Sequence, residues 1–185
     1  MKTREDALKL LHEWVGSESL RRHCYSVAAA MEGYARHYGL SDGEVSAWWV
    51  AGLLHDFDYE KYPTLEKHPF EGVRVLQEKG YAEDIIQAIL GHGNHTGVKR
   101  ESLMAKTLFA VDELCGILVA LSKVRPDGFV AMTSSSIEKA LKKKDFAKNV
   151  SREDIEAGIL DLKVEREKHF HIVINALQEN SETPG

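Results

Sequence analysis

The chain has 185 residues, 43% hydrophobic and 29% charged, a globular composition long enough to bury one core without disulfides or a structural metal. Its formal net charge of -5 at pH 7 disfavours general binding to nucleic-acid phosphates, so small ligands are the expected partners. The cysteines, Cys24 and Cys115, lie far apart in apolar helical patterns, which gives no support to a zinc knuckle or a secreted disulfide scaffold and fits a reducing cytoplasm. The opening MKTREDALKLLHEW lacks the apolar run and cleavage site of a leader, and no later segment approaches the length of a membrane span, so no membrane partner is expected.

Apolar residues recur at helical spacing in most windows, and no stretch alternates with β-branched enrichment between turn signals. The expected class is all-α, a helical bundle in one domain over residues 1–178. A first short helix is expected from about Glu5 to Val15. In the second, Leu20, Cys24, Val27, Met31, Ala35 and Tyr38 form one apolar stripe that stops at Gly39, with His23 beside it. Ser41 or Asp42 caps a third helix, whose Trp48, Trp49, Val50, Leu53 and Leu54 are apolar enough for a central position; His55 and Asp56 close it. After a loop containing Pro63, Pro69 suits the first turn of a fourth helix through Val73 and Leu76 to Gly80. The fifth, AEDIIQAILGH, ends where Gly91 and Gly93 flank His92. A sixth, from about Ser102 to Leu121, turns Leu103, Leu108, Val111, Leu114, Cys115 and Leu118 inward, with Asp112 at the edge of that face, before the turn-rich VRPDG. Two or three weaker helices follow, with a basic cluster at Lys139, Lys142, Lys143, Lys144, Lys148 and Arg152. Residues 179–185, ENSETPG, read as a frayed tail.

A neighbouring His and Asp at the end of so apolar a helix need a reason, because an ionised carboxylate entering a core is costly unless paired or metal-bound. Imidazole and carboxylate together suit divalent transition ions such as manganese, iron, cobalt, nickel or zinc, with open positions left for water. Taken alone, the dipeptide is met more simply by Asp56 capping the next turn and His55 bonding a backbone carbonyl.

The order of the residues changes that weighing. His23 in HCYSVA, His55 and Asp56 in AGLLHD, and Asp112 in TLFAVDEL together resemble the HD superfamily of metal-dependent phosphohydrolases, defined by an ordered H, HD and D set on a helical bundle. The resemblance covers about residues 18–122. It implies that His23, His55, Asp56 and Asp112 ligate a metal. His68 in KHPFEG and His92 in GHGNH occur where two-metal members place further histidines, which implies a dinuclear site with Asp56 as the bridging carboxylate. His95 is a weaker candidate, because Gly93 and Asn94 interrupt the helix that would carry it. His12, His37, His169 and His171 are expected in solvent, and replacing His12 or His169 is expected to leave metal content and turnover nearly unchanged.

The chain departs from the best-known subfamilies: it reads HDFDYEKYP where many continue HDIG or HD-x-x-K, and it lacks the GYP signature of cyclic dinucleotide phosphodiesterases. Asp58 is a candidate general base, an acceptor behind a metal ligand, or a turn residue. Lys61, Lys106 and Arg125 are candidate contacts to a substrate phosphate, with a solvated surface role as the plainer alternative, and the basic cluster reads mainly as a solvated face. The expected activity is hydrolysis of a phosphate ester or anhydride in a nucleotide or other small phosphorylated metabolite. One or two divalent transition ions would serve as cofactor, with Asp56 in the catalytic machinery. The same ligands leave two alternatives: a di-iron oxygenase of the inositol oxygenase type, and a non-catalytic metal-containing domain that binds a metabolite.

Overall fold

A computed structural model describes residues 2–180. Among the described residues it holds nine α-helices and no strand: α1 (Arg4–Trp14), α2 (Glu18–His37), α3 (Asp42–Leu54), α4 (Phe70–Glu78), α5 (Glu83–Gly91), α6 (Leu103–Lys123), α7 (Ser134–Lys142), α8 (Arg152–Leu162) and α9 (Arg166–Glu179). A 3₁₀ turn, Asn94–Thr96, follows α5. Local chemistry explains the boundaries. Ser17 and Ser102 accept the N–H groups of Leu20 and Ala105 at the starts of α2 and α6, and the Glu44 carboxylate takes both the N–H and the O–H of Ser41 at the start of α3. Gly39 and Gly80 sit at φ +71 and +73 just past α2 and α4, where a side chain would be strained.

α3 is buried almost all round, with Val45, Trp48, Val50, Ala51, Leu53 and Leu54 inside, which gives it the central position its composition predicts. It packs on α1, α2 and α5, while α6 lies against α2, α5 and α8, and α9 closes over α2 and α7. Two glycines set the closest approaches. A Cβ on Gly52 would lie 2.8 Å from both Ala28 Cα and Val27 O of α2, and one on Gly158 would lie 2.6 Å from Ala110 Cα of α6. The chain therefore places α2, α3 and α6 side by side, with the C-terminal ends of α3 and α5 opening onto them.

Leu103, expected inside, is 44% exposed, while Met104 and Ala105 beside it in the first turn of α6 are buried, so position 103 lies on the outer side of that turn. Glu179 is the last residue of α9, and residues 181–185, most of the expected tail, lie outside the described residues. Arg152, read as part of a solvated basic face, donates to the carbonyls of Lys143, Phe146, Ala147 and Val150 and ties down the loop before α8. No described helix is long and apolar enough to cross a membrane.

The largest correction is His169, which is completely buried between α2, α6 and α9 instead of facing solvent. The Tyr34 hydroxyl bonds its Nδ1, and its Nε2–H donates to the Ala110 carbonyl at 3.1 Å. Burial pushes its pKa down to about 4, with Arg166 adding to the effect and the Ala110 bond opposing it. The unfolded chain therefore takes up a proton that the folded chain refuses. The contribution to stability is whole above pH 6.5, the ordinary value, and is lost as pH falls towards about 4, to a maximum of about 3 kcal/mol. Urea unfolding of metal-free protein at pH 7.5 and 4.5 should show this as a difference between wild type and His169→Gln. Identical pH dependence in the two would contradict it.

Candidate metal centre

Each of the six sequence-selected residues sits where helix geometry aims it at one point. His23 projects from the second turn of α2 and Asp112 from the middle of α6. His55 and His92 occupy the same position on different helices, the first residue past the end of α3 and of α5. There each turns its Nδ1–H back onto a carbonyl three residues earlier, Gly52 O at 2.8 Å and Ile89 O at 2.5 Å. The last carbonyls of a helix have no partner within it, so the helix ends supply acceptors that fix both rings and leave Nε2 facing inward. His68 precedes α4, and its Nδ1–H donates to Asp58 Oδ1 at 2.7 Å. Asp58 is fully buried and takes the N–H of Gly72 on its other oxygen at 2.8 Å.

The result is two triads, His23 with His55 and Asp112, and Asp56 with His68 and His92, each with ligand atoms within 4.8 Å of one another. In the first, His23 Nε2 lies 2.9 Å from Asp112 Oδ1 and 3.2 Å from His55 Nε2, and His55 Nε2 lies 3.3 Å from Asp112 Oδ1. In the second, His68 Nε2 and His92 Nε2 are 3.2 Å apart, at 3.2 and 3.4 Å from Asp56 Oδ1. Asp56 faces both. Its Oδ2 lies 3.4 Å from His55 Nε2 and 3.9 Å from His23 Nε2, while Oδ1 serves the other pair.

This donor set fits metal ions better than it fits hydrogen bonding. His68 and His92 both commit their Nδ1–H outward, so as neutral rings they point two lone pairs at each other and at a carboxylate oxygen. One shared proton satisfies one of those contacts, whereas a cation accepts all of them. Without a cation the cluster holds protons instead. Burial alone would lower His55, but Asp56 and Asp112 outweigh it and raise its pKa well above the usual histidine value. His68 is raised to about 9 against the same opposition from burial, by its bonds to Asp56 and Asp58. The histidines in turn hold Asp56 and Asp112 well below the carboxylate range, despite the burial that would raise them. A metal would displace those protons.

The centre is closed on one side and open on the other. The side chains of His55, His68 and His92 are 0%, 6% and 6% exposed, whereas those of His23, Asp56 and Asp112 reach 19%, 18% and 17%. The open side carries the carboxylates of Asp56 and Asp112. Tyr59, 45% exposed, stands edge-on to the His68 ring at 5.1 Å between centroids.

The remaining sequence candidates are engaged elsewhere. Lys61 lies 3.8 Å over the Trp14 ring, Lys106 pairs with Asp161 at 3.9 Å, and Arg125 holds Asp127 and the Ala131 carbonyl. His95 bonds the backbone carbonyl of His68 at 2.8 Å from the 3₁₀ turn, behind the ligand set. His37 and His171 are exposed, and His12 is exposed with its Nε2 2.6 Å from the Tyr25 hydroxyl. Glu113 was not singled out from the sequence, where nothing marks it except its place after Asp112. Burial, then the charges of Asp112 and Asp154, push its carboxyl up to about 7, and it accepts the Ser151 N–H at 2.9 Å.

The fold and this site define an all-helical protein with paired His and carboxylate triads able to hold metal ions. A model of the HD domain family matches residues 20–117, more than half of the chain, and the protein belongs to that family. Membership places it in a superfamily of metal-dependent phosphohydrolases whose domains bind divalent metals. No curated protein and no solved structure matches the chain.

Proposed function

We propose that the protein is a dinuclear phosphohydrolase acting on a nucleotide or other small phosphorylated metabolite. The observation that carries this reading is the sharing of Asp56, one oxygen towards His23 and His55 and the other towards His68 and His92. A carboxylate in that position would be shared by two cations, the arrangement that suits in-line displacement at phosphorus. Divalent ions, when bound, supply an acidic water for attack and positive charge against the developing phosphoryl oxyanion.

The chain's own residues do the rest. Two divalent charges outweigh the carboxylates of Asp56, Asp58 and Asp112, so the open face that would repel a phosphate becomes attractive to it. The helix-end carbonyls of Gly52 and Ile89 hold His55 and His92 in a fixed tautomer, which keeps the site preorganised through turnover. Burial of His55, His68 and His92 closes the rear of the centre to bulk water and leaves one direction for in-line approach. No serine or cysteine nucleophile is needed, and the buried Cys24, its thiol pushed up to about 12 chiefly by burial, is unsuited to the part.

The test is turnover in oxygen-18 water, with substrates found by screening phosphate esters and nucleotides against manganese, iron, cobalt, nickel and magnesium. One heavy oxygen is expected in the released phosphate or the phosphoryl-bearing product, at the same rate under argon as in air. Strict dependence on dioxygen with iron bound would move the protein to the oxygenase class. Tight binding without turnover under every metal would make it a binding domain.

A further inference from the structure

We infer that Asp58 is a positioning residue that supplies, through His68, the private carboxylate of the second metal position. The inference rests on the dinuclear reading above. The two triads share Asp56, but beyond it they are unequal: the first has Asp112 as a direct carboxylate, and the second has only two histidines. Asp58 makes up the difference from behind. Its Oδ1 lies 2.7 Å from His68 Nδ1, so His68 presents Nε2 with a negative charge at its back, whereas His55 and His92 are backed by neutral carbonyls. A carboxylate in that place fixes the ring's tautomer and raises its strength as a donor.

Asp58 is itself held with little freedom. Its other oxygen takes the N–H of Gly72, in the first turn of α4, where backbone N–H groups have no partner within the helix and the helix dipole favours an anion. The residue at the start of that helix is Pro69, whose side chain offers no cap, so Asp58 does that work from fourteen positions earlier. Gly72 is required for the approach: a Cβ there would lie 2.7 Å from Asp58 Cγ and 2.9 Å from both Asp58 Oδ2 and Phe57 Cε1. With the side chain fully buried and both oxygens bonded to N–H donors, Asp58 is not placed to take a proton from water on the open face.

The experiment is calorimetric titration of the metal-free full chain with manganese, for wild type, Asp58→Asn and Gly72→Ala. An amide offers one acceptor and one donor end, so it cannot serve both His68 and Gly72. Asp58→Asn is expected to weaken one of two manganese sites about 10–100-fold and leave the other as in wild type. Gly72→Ala is expected to do the same without altering any group in the His68 bond. Thermal unfolding in EDTA separates this from general damage: equal weakening of both sites with a lowered melting point would make Asp58 a structural residue and overturn the proposal. Two unchanged sites in both variants would overturn it as well. A wild type that takes one ion fails earlier, removing the dinuclear reading and this proposal together.

Discussion

Asp56→Ala is expected to lower turnover by about 10³-fold or more, the scale seen when a group that organises transition-state charge is removed, while circular dichroism stays that of a helical protein. Asp56 is the one residue whose two oxygens face both triads, at 3.2 and 3.4 Å on one side and 3.4 and 3.9 Å on the other. Its removal leaves His68 Nε2 and His92 Nε2 with no carboxylate between them and His23 and His55 with Asp112 alone, so no anion is shared by the two triads. The helices themselves do not depend on it, because it lies in the turn after α3 and its side chain is partly open to solvent. Wild-type activity in this variant, measured at saturating metal, would remove Asp56 from the catalytic machinery.

Gly52→Ala is expected to damage fold and site together. The added methyl meets backbone on α2, 2.8 Å from Ala28 Cα, 2.8 Å from Val27 O and 2.9 Å from Ala28 N, and backbone cannot swing aside as a side-chain tip does. Overpacking of this kind costs about 1–3 kcal/mol, and at this chain length each kcal/mol lowers the melting temperature by roughly 2–4 °C. Moving α3 away from α2 also shifts the Gly52 carbonyl that orients His55 and separates His55 from His23. Metal affinity should therefore fall along with the melting temperature. A variant with wild-type melting and wild-type metal affinity would show that the close helix contact does not position the site.

The helices were legible where their signals are local. The apolar stripe from Leu20 to Tyr38, the Ser41 and Ser102 starts and the Gly39 stop depend on residues within a few positions of one another, and α2, α3 and α6 follow them closely. What escaped depends on partners distant in sequence. His169 is buried because Tyr34 and the Ala110 carbonyl, 135 and 59 positions away, satisfy its ring, and nothing near residue 169 announces them. Leu103 shows the opposite error: its spacing is helical, but the first turn of α6 buries Met104 and Ala105 and leaves Leu103 on the outer side.

The site divides in the same way. Its candidate residues came from the ordered His, His-Asp and Asp set, and the structure brings these side chains together. Its construction was read only in part. The bond from His55 to a backbone carbonyl was expected as the alternative to a metal role and is present together with the ligand cluster, whereas its repetition by His92 at the end of α5 was not expected. That Asp58 stands behind His68 requires the start of α4 to fold back onto the turn after α3, which brings Gly72 to it. Lys61 lies over the Trp14 ring, a contact with a residue 47 positions earlier that its own neighbourhood in the sequence does not announce.

The most direct test of the proposal that the centre takes two ions is the metal content of the protein loaded anaerobically with manganese or iron and freed of excess, counted per chain by elemental analysis. Two ions in wild type, one in His92→Ala and none retained in Asp56→Ala is the predicted series. One ion in wild type, or two retained in Asp56→Ala, would contradict the account.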